Sequence, residues 1–304
     1  MVFLASYLIA LYNKEEYIAD CIESIIKEKS KKLDIEILIV DDGSSDGSLT
    51  IAEDFSKRFD FIKTFSFKKN KGKVSAFNLA FKKSQGDFIF LLGADDTLIR
   101  NRTQNMINQM VANSSSIYGG WKAFRKKHDD LNYNFIPKKI SIYQTIMHSN
   151  IAGGTLGLIR SDAEIVFPIP SDLKFEDWWI STILIHKNRL KPYAQYVQNY
   201  RLTDSNDSFN LLKDANSIRS GFIRSGNYIE TLERRINDNK LKYFFNRSKA
   251  LRKCFFTRDL KLIRYLLPLD KDSFRFIGYI LLGPNNFYNL NKFLKNIIFY
   301  NFFK

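Results

Sequence analysis

The chain has 304 residues, of which 45% are hydrophobic and 26% are charged. These values are ordinary for a globular protein and allow one large domain or two smaller ones. Only two cysteines occur, Cys21 and Cys254, and neither belongs to a CxxC motif or a Cys/His cluster. Neither a disulfide framework nor a structural zinc site is therefore expected.

The net charge of +15 is concentrated towards the C-terminus. Residues 1–204 contain 28 basic and 24 acidic residues, and residues 205–239 contain five of each. Residues 240–304 contain 14 basic residues against three acidic ones. Such a concentrated positive field predicts an anionic partner, either acidic membrane lipid or nucleic acid.

The apolar N-terminus predicts a first buried strand over residues 2–11. A secretory signal does not fit, because no basic segment or small-residue cleavage site accompanies it. No apolar run approaches the roughly 20 residues that span a bilayer. We therefore expect a cytoplasmic protein whose membrane contact, if it has one, is peripheral.

The first third of the chain alternates short apolar runs with amphipathic stretches, which predicts strands crossed by helices in a mostly parallel sheet. Apolar residues at helical spacing predict a first helix over residues 15–29. Later helices are expected from residue 48, over residues 74–81 and from residue 175. Further strands are predicted at residues 35–40, 61–67, 88–92, 117–122 and 193–201.

Beyond residue 203 the strand pattern fades and helical spacing dominates. We therefore predict an α/β domain over residues 1–204 and a basic, aromatic-rich helical region over residues 205–304.

Two pairs of acids, Asp41-Asp42 and Asp95-Asp96, follow predicted parallel strands. The carboxyl ends of such strands meet at one sheet edge, where ligands collect. A hard divalent cation such as Mg²⁺ or Mn²⁺ binds carboxylates and bridges them to phosphates. The alternative is that these acids only cap helices and form turns. Four of them at one edge favour a site.

The Asn70-Lys71-Gly72-Lys73 segment precedes a predicted helix, so its lysines and the helix N-terminus can hold phosphate oxygens. It lacks the GxxxxGK[ST] spacing of a P-loop, and a solvated basic turn is the alternative.

Two carboxylates stand beside two indoles at the start of the helix predicted from residue 175. Trp178 and Trp179 offer flat faces for sugar rings, and Glu176 or Asp177 can act as a general base. The alternative is a helix N-terminus whose acids complement the dipole and whose tryptophans lie in the core.

Residues 4–208 resemble, in order, the inverting family-2 glycosyltransferases of the GT-A fold, of the type that makes bacterial O-antigen or capsule polysaccharide. The resemblance is carried by four parts of the sequence: Leu8–Ile25 with its Tyr-Asn turn, Ile37–Gly47, Asn70–Asp96, and Glu176-Asp177 followed by Tyr200-Arg201.

This resemblance implies a GT-A-like α/β domain that binds a nucleotide diphosphate sugar, which we expect to be a UDP-sugar. The sugar is moved to a hydroxyl of a glycan or lipid-linked glycan, with Asp177 as the catalytic base. The QxxRW motif of processive polymerases is absent, so a single addition is expected.

The resemblance also implies roles for individual residues. Nucleotide-sugar binding is expected from Tyr12, Asn13, Asp42, Lys73, Asn78 and Asp95. A divalent metal is expected on Asp95 and Asp96, and the donor sugar and the acceptor are expected to meet at Gly153, Gly154 and Thr155.

The sequence departs from the family pattern at two places. Ala10-Leu11 replaces a Pro-Thr pair, and Gly93 replaces the first acid of the DxD motif. The missing acid weakens metal binding unless Asp96 compensates, and it motivates an alternative, a catalytically inactive protein that binds a sugar or nucleotide. A nucleic-acid-binding protein is a further alternative. We expect no nucleic-acid partner, because the basic charge lies outside the α/β region and no RNP, zinc-finger or helix-turn-helix signature accompanies it.

The chain has no acidic residue after Asp272, and residues 287–304 interleave aromatic and aliphatic side chains with lysines. Such a segment suits an interfacial helix on anionic lipid at the inner face of the cell membrane. A helix that packs its apolar side on the protein core is the alternative.

We expect the full chain to float with vesicles that contain anionic lipid and to stay unbound with neutral vesicles, because the attraction is electrostatic. Raising the salt concentration should release it. If the protein does not float with the anionic vesicles, the membrane hypothesis is wrong.

Overall fold

A computed structural model of the chain describes residues 2–125, 134–148, 151–203, 225 and 228–257, together with residues 261, 264 and 277. The chain forms two compact units, Met1–Leu202 and Thr203–Lys304.

The first unit is built on a sheet whose first four strands are parallel and lie in the order β3-β2-β1-β4. They are β1 (Phe3–Leu11), β2 (Leu33–Asp41), β3 (Ile62–Ser66) and β4 (Phe88–Gly93). Each lies within two residues of its predicted position. Most of β1, β2 and β4 is buried, as continuous apolar runs require of central parallel strands.

Three helices connect these strands: α1 (Ile18–Ile26), α2 (Ser48–Arg58) and α3 (Lys73–Lys83). In α1 the buried residues Ile18, Cys21, Ile22 and Ile25 recur at helical spacing. This apolar face belongs to the same core as the inner faces of β1 and β2. The predicted α/β fold, a sheet flanked by helices, is confirmed.

Beyond β4 the sheet is mixed. The elements of this half are β5 (Thr97–Leu98), α4 (Arg102–Asn113), β6 (Ser116–Phe124), β7 (Asn134–Phe135), α5 (Ile142–Met147), a 3₁₀ turn (Gly153–Thr155), β8 (Leu156–Ile159), α6 (Arg160–Val166), α7 (Glu176–His186) and β9 (Leu190–Arg201). β8 pairs antiparallel with β4 and β6, β9 runs parallel to β6, and β5 pairs antiparallel with β9.

A side chain of α3 fixes the segment that leads into α7. The Asn78 amide donates from Nδ2 to the Ile169 carbonyl at 2.8 Å, and its Oδ1 accepts the Ile169 N–H at 2.7 Å. Ile169 itself is buried. Both ends of the amide therefore bind protein backbone. In the structure the amide positions the segment before α7, and the nucleotide contact expected of Asn78 stays a prediction.

In the second unit the described residues are mainly helical. Residues 228–236 form a helix, a 3₁₀ turn spans Asn239–Leu241, and α8 spans Lys242–Thr257. Leu232 and Phe245 are fully buried. The predicted membrane-binding segment at residues 287–304 lies outside the described residues. Among the residues that are described, no helix combines the length and the apolar character needed to cross a bilayer.

Replacing Asn78 by alanine should lower the free energy of unfolding by about 1–3 kcal/mol, because the buried N–H and carbonyl of Ile169 lose their partner. Urea denaturation measures the change. Asn108→Ala is the matched control on α4, where the side chain is exposed and accepts a bond from Gln104 Nε2 at 2.9 Å. Its effect should stay within about 0.5 kcal/mol. Equal effects of the two substitutions would contradict the stabilising role of the Asn78–Ile169 contact.

Candidate active site

Three loops leave the sheet at the same edge. The parallel register sets Leu11 of β1 beside Asp41 of β2, and Ala10 beside Gly93 of β4. The residues that follow these strand ends therefore lie close together, as expected from the sequence. This edge of the sheet contains the acidic pairs and the Tyr-Asn turn.

Asn13 joins the first loop to the second. Its backbone is left-handed, with φ of 48°, a conformation that asparagine tolerates better than most residues. Its Oδ1 accepts the Ser45 N–H at 2.9 Å, and its own N–H donates to Ser44 Oγ at 3.0 Å. Tyr12 stands beside it with 46% of its surface exposed. Asn13 thus holds the turn that presents the Tyr12 ring to solvent.

Asp42 connects the loop after β2 to the segment that precedes α3. Its two carboxylate oxygens accept the backbone N–H groups of Lys71 at 2.6 Å and Gly72 at 2.8 Å. Gly43, with φ of +75°, allows the two loops to touch, since a Cβ there would lie 2.9 Å from the backbone nitrogen of Asn70. The Asp42 carboxylate is buried in this contact, which positions the N-terminus of α3.

Asp95 forms an ion pair that no motif predicted. Its Oδ2 lies 2.8 Å from Nζ of Lys14, and the two side chains are only 14% and 19% exposed. The backbone N–H of Lys14 donates to Oγ of buried Ser48 at 2.7 Å, which fixes the backbone from which the lysine side chain extends. A cation from the first loop is therefore held on the acid of the β4 loop.

Asp96 is a structural residue. One carboxylate oxygen accepts from Gln198 Nε2 at 2.6 Å and the other from the Arg201 backbone N–H at 2.8 Å, and the residue is 5% exposed. Burial, followed by the charge of Asp95, raises the pKa of Asp96 well above its usual range. In the structure the Asp96 carboxylate ties the β4 loop to β9, and the metal role expected of Asp96 stays a prediction.

The carboxylates expected to hold a divalent metal at this edge are engaged by groups of the protein. Gly93 supplies no side chain, Asp96 directs both oxygens at protein donors, and Asp95 already carries the Lys14 ammonium. Within the described parts of the chain, no group of three or more His, Cys, Asp or Glu side chains could hold a metal ion.

A second acidic pair opens α7. Glu176 is buried and pairs through Oε2 with Lys73 Nζ at 2.9 Å, which links it to the first residue of α3. Asp177 accepts the Trp178 backbone N–H through Oδ1 at 2.7 Å and is partly exposed. Burial of its carboxyl and the neighbouring Glu176 raise the pKa of Asp177 to about 7, and Lys73 opposes them. A carboxylate with such a pKa suits proton transfer at neutral pH.

The two indoles of α7 lie in the core. Trp178 is 4% exposed and Trp179 is 7% exposed. Trp178 Nε1 donates to the Thr145 carbonyl, and Trp179 Nε1 donates to the Val166 carbonyl at 2.9 Å. The sugar-stacking role predicted for them is corrected, because neither ring offers an open face. They anchor α7 and so fix the direction of Asp177.

The 3₁₀ turn Gly153–Thr155 lies against these acids. A Cβ on Gly153 would stand 3.4 Å from Glu176 Oε1, and one on Gly154 would collide with the Gln198 amide at 2.6 Å. The Thr155 hydroxyl donates to the Ala152 carbonyl at 2.7 Å and is buried. The turn therefore presents backbone beside the acids, while the Thr155 side chain is used internally.

Gln198 and Arg102 support this turn, although no motif marks them. Gln198 binds Asp96, and the buried Arg102 guanidinium donates to the Gly154 carbonyl at 2.7 Å. The Arg102 guanidinium also lies 5.3 Å from the centre of the Phe90 ring. A buried arginine at a helix start has no local signal in the sequence, since its partner, the Gly154 carbonyl, lies 52 residues away.

Proteins of similar sequence include glycosyltransferases. One relative is the cholesterol galactosyltransferase of Borreliella burgdorferi, 27% identical over 84% of this chain and 72% of that protein. Another is WfgD of Escherichia coli, a UDP-Glc:alpha-D-GlcNAc-diphosphoundecaprenol beta-1,3-glucosyltransferase, 28% identical over 70% of this chain and 82% of that protein.

Two solved structures share the fold at low sequence identity and support the predicted GT-A-like architecture. The mannosyltransferase PcManGT of Pyrobaculum calidifontis, in complex with GDP-Man and Mn²⁺, has a TM-score of 0.58 at 14% identity and covers 98% of this chain and 81% of its own. S. aureus TarS in complex with UDP has a TM-score of 0.55 at 15% identity, with coverages of 92% and 90%.

The model of the family described as "Glycosyl transferase family 2" matches residues 6–163, which contain the three loops of the sheet edge and the Gly153–Thr155 turn. This is more than half of the chain. The protein is therefore a glycosyltransferase and belongs to glycosyl transferase family 2.

Proposed function

We propose that this glycosyltransferase is a non-processive, inverting enzyme that moves one sugar from a UDP-sugar to a hydroxyl group of a lipid-linked glycan. The observation that carries the proposal is Asp177, a carboxylate whose pKa is raised to about 7 beside the Gly153–Thr155 turn and the Lys73–Glu176 pair. Residues 1–204 form the catalytic domain in this proposal.

The chemistry follows from the position of Asp177 at the start of α7. Its carboxylate takes the proton of the acceptor hydroxyl, whose oxygen forms a new bond to the anomeric carbon of the donor sugar. The bond from that carbon to the diphosphate oxygen breaks on the opposite face, and the nucleoside diphosphate leaves with the bonding electrons. A single in-line displacement inverts the anomeric configuration.

The donor is assigned to the edge formed by the ends of β1, β2 and β4. Tyr12 offers an exposed ring for the base, and the loop held by Asp42 forms a wall beside it. Lys73 adds positive charge near the diphosphate. A UDP donor is supported by the TarS complexes with UDP and UDP-GlcNAc and by the donor in the name of WfgD.

The lipid-linked acceptor is supported by the relatives. The names of WfgD and of the Borreliella burgdorferi enzyme each include a lipid, diphosphoundecaprenol and cholesterol respectively. Together with the basic, apolar C-terminal sequence, this leads us to propose action at the inner face of the cell membrane.

Asp177→Asn should abolish transfer, with a loss of roughly a thousandfold or more, because an amide does not take a proton from the acceptor. The substitution should leave UDP binding intact. The measurements are UDP release from UDP-glucose, UDP-galactose and UDP-GlcNAc with a lipid-linked acceptor, and UDP affinity by calorimetry. Glu164→Gln, a change to an exposed acid on α6, is the control.

Undiminished transfer by Asp177→Asn would refute its assignment as the catalytic base. UDP binding by wild type without any transfer would favour an inactive binding protein, the alternative that Gly93 motivates.

The pH dependence of kcat/KM should show an acid limb with a midpoint near 7, since only deprotonated Asp177 acts as a base and its pKa is about 7. Activity should therefore rise through this midpoint as the pH increases. Lys73→Met removes a charge that lowers the pKa of Asp177, so the midpoint should move to higher pH. Lys71→Met is the control, because the Lys71 ammonium lies over the Phe67 ring. A midpoint that stays in place in Lys73→Met would contradict the coupling, whatever happens to the overall rate.

A further inference from the structure

We propose that Lys14 supplies the positive charge that holds the donor diphosphate, and that this enzyme binds its donor without a divalent metal ion. The inference rests on the proposed function and concerns the charge at the sheet edge. It is carried by the Lys14–Asp95 ion pair and by the hydrogen bonds that the neighbouring Asp96 carboxylate accepts from the protein.

Asp95 is the acid that a donor-bound metal would need, because Gly93 has no carboxylate and both carboxylate oxygens of Asp96 accept hydrogen bonds from the protein. At Gly93 a Cβ would lie 2.8 Å from Asp96 Oδ2 and 3.1 Å from Asp95 Oδ1, so an acidic side chain would press on both carboxylates. Asp96 uses one oxygen on Gln198 and the other on the Arg201 backbone. Asp95 is the carboxylate that remains, and it is paired with the Lys14 ammonium.

Hydrogen bonds fix the backbone position of Lys14. Its backbone N–H donates to Ser48 Oγ, and the preceding residue, Asn13, accepts the Ser45 N–H of the loop that contains Asp42. The side chain is only 19% exposed and ends 2.8 Å from Asp95. A metal ion on Asp95 would have to displace this ammonium or lie next to it, and like charges in a partly buried place repel each other. The two cations compete for one carboxylate.

An ammonium can do part of the work of a metal ion here. It carries a full positive charge and three N–H donors, so that it can contact a carboxylate and a phosphate oxygen together. When the bond to the sugar breaks, negative charge grows on the diphosphate. A cation fixed by Asp95 stabilises that charge without having to be recruited from solution.

The test measures the Kd of UDP and of GDP by calorimetry, first in EDTA and then in Mn²⁺, for four full-length proteins. These are wild type, Lys14→Met, Lys14→Arg and the control Lys57→Met, which removes a lysine from an exposed pair with Asp54. Thermal unfolding checks that each protein is folded. The Lys14→Arg protein keeps the charge if Lys14→Met proves unstable.

For the nucleotide that binds, we expect wild type to have the same Kd in EDTA and in Mn²⁺ within about twofold, and Lys14→Met to lose at least about tenfold in EDTA, as expected for a lost charge-assisted contact. Mn²⁺ should restore part of the affinity of Lys14→Met, because Asp95 then lacks its counter-ion. Lys14→Arg should keep most of the wild-type affinity.

Wild-type binding that is tenfold or more tighter in Mn²⁺ than in EDTA would overturn the inference and leave the proposed function standing. Wild-type affinity in Lys14→Met would also overturn it. Failure of both nucleotides to bind under either condition would overturn the proposed function, and this inference with it.

Discussion

The parallel register of β1 with β2 and β4 is the constraint on which the rest of the site depends. It sets Leu11 beside Asp41 and Ala10 beside Gly93, so that three loops start at one edge of the sheet. The register is held by hydrophobic burial, because these strands are covered on both faces. A shift of one residue would turn every side chain to the opposite face and separate the loops.

The acids at this edge work in adjacent pairs whose members have different tasks. In Asp95-Asp96 the second carboxylate is buried on Gln198 and a backbone N–H, while the first meets Lys14. In Glu176-Asp177 the first is buried on Lys73, while the second is partly exposed with a raised pKa. Neighbouring residues point in different directions, so one member of each pair supports the scaffold, and we propose that the other faces the reaction.

Lysines accompany both pairs, although the domain as a whole is close to neutral. Lys14 meets Asp95, and Lys73 meets Glu176. Buried carboxylates are costly without a partner, and the lysines provide one while placing positive charge where a diphosphate is proposed to bind. The excess of basic residues after residue 239 is a separate feature, and its proposed role concerns the membrane.

The sequence by itself determined the elements and the family. Apolar runs and helical spacing are local, so the first four strands could be located within two residues, and the Asp-Asp-Gly-Ser, Asn-Lys-Gly-Lys and Glu-Asp segments identified the chemistry. Only the tertiary structure decided which partners the individual side chains have. Asp96 and Trp178 are taken up by protein contacts, Asn78 binds Ile169 from 91 residues away, and Lys14 reaches Asp95. Such pairings depend on how distant segments pack, and packing leaves no periodic pattern along the chain.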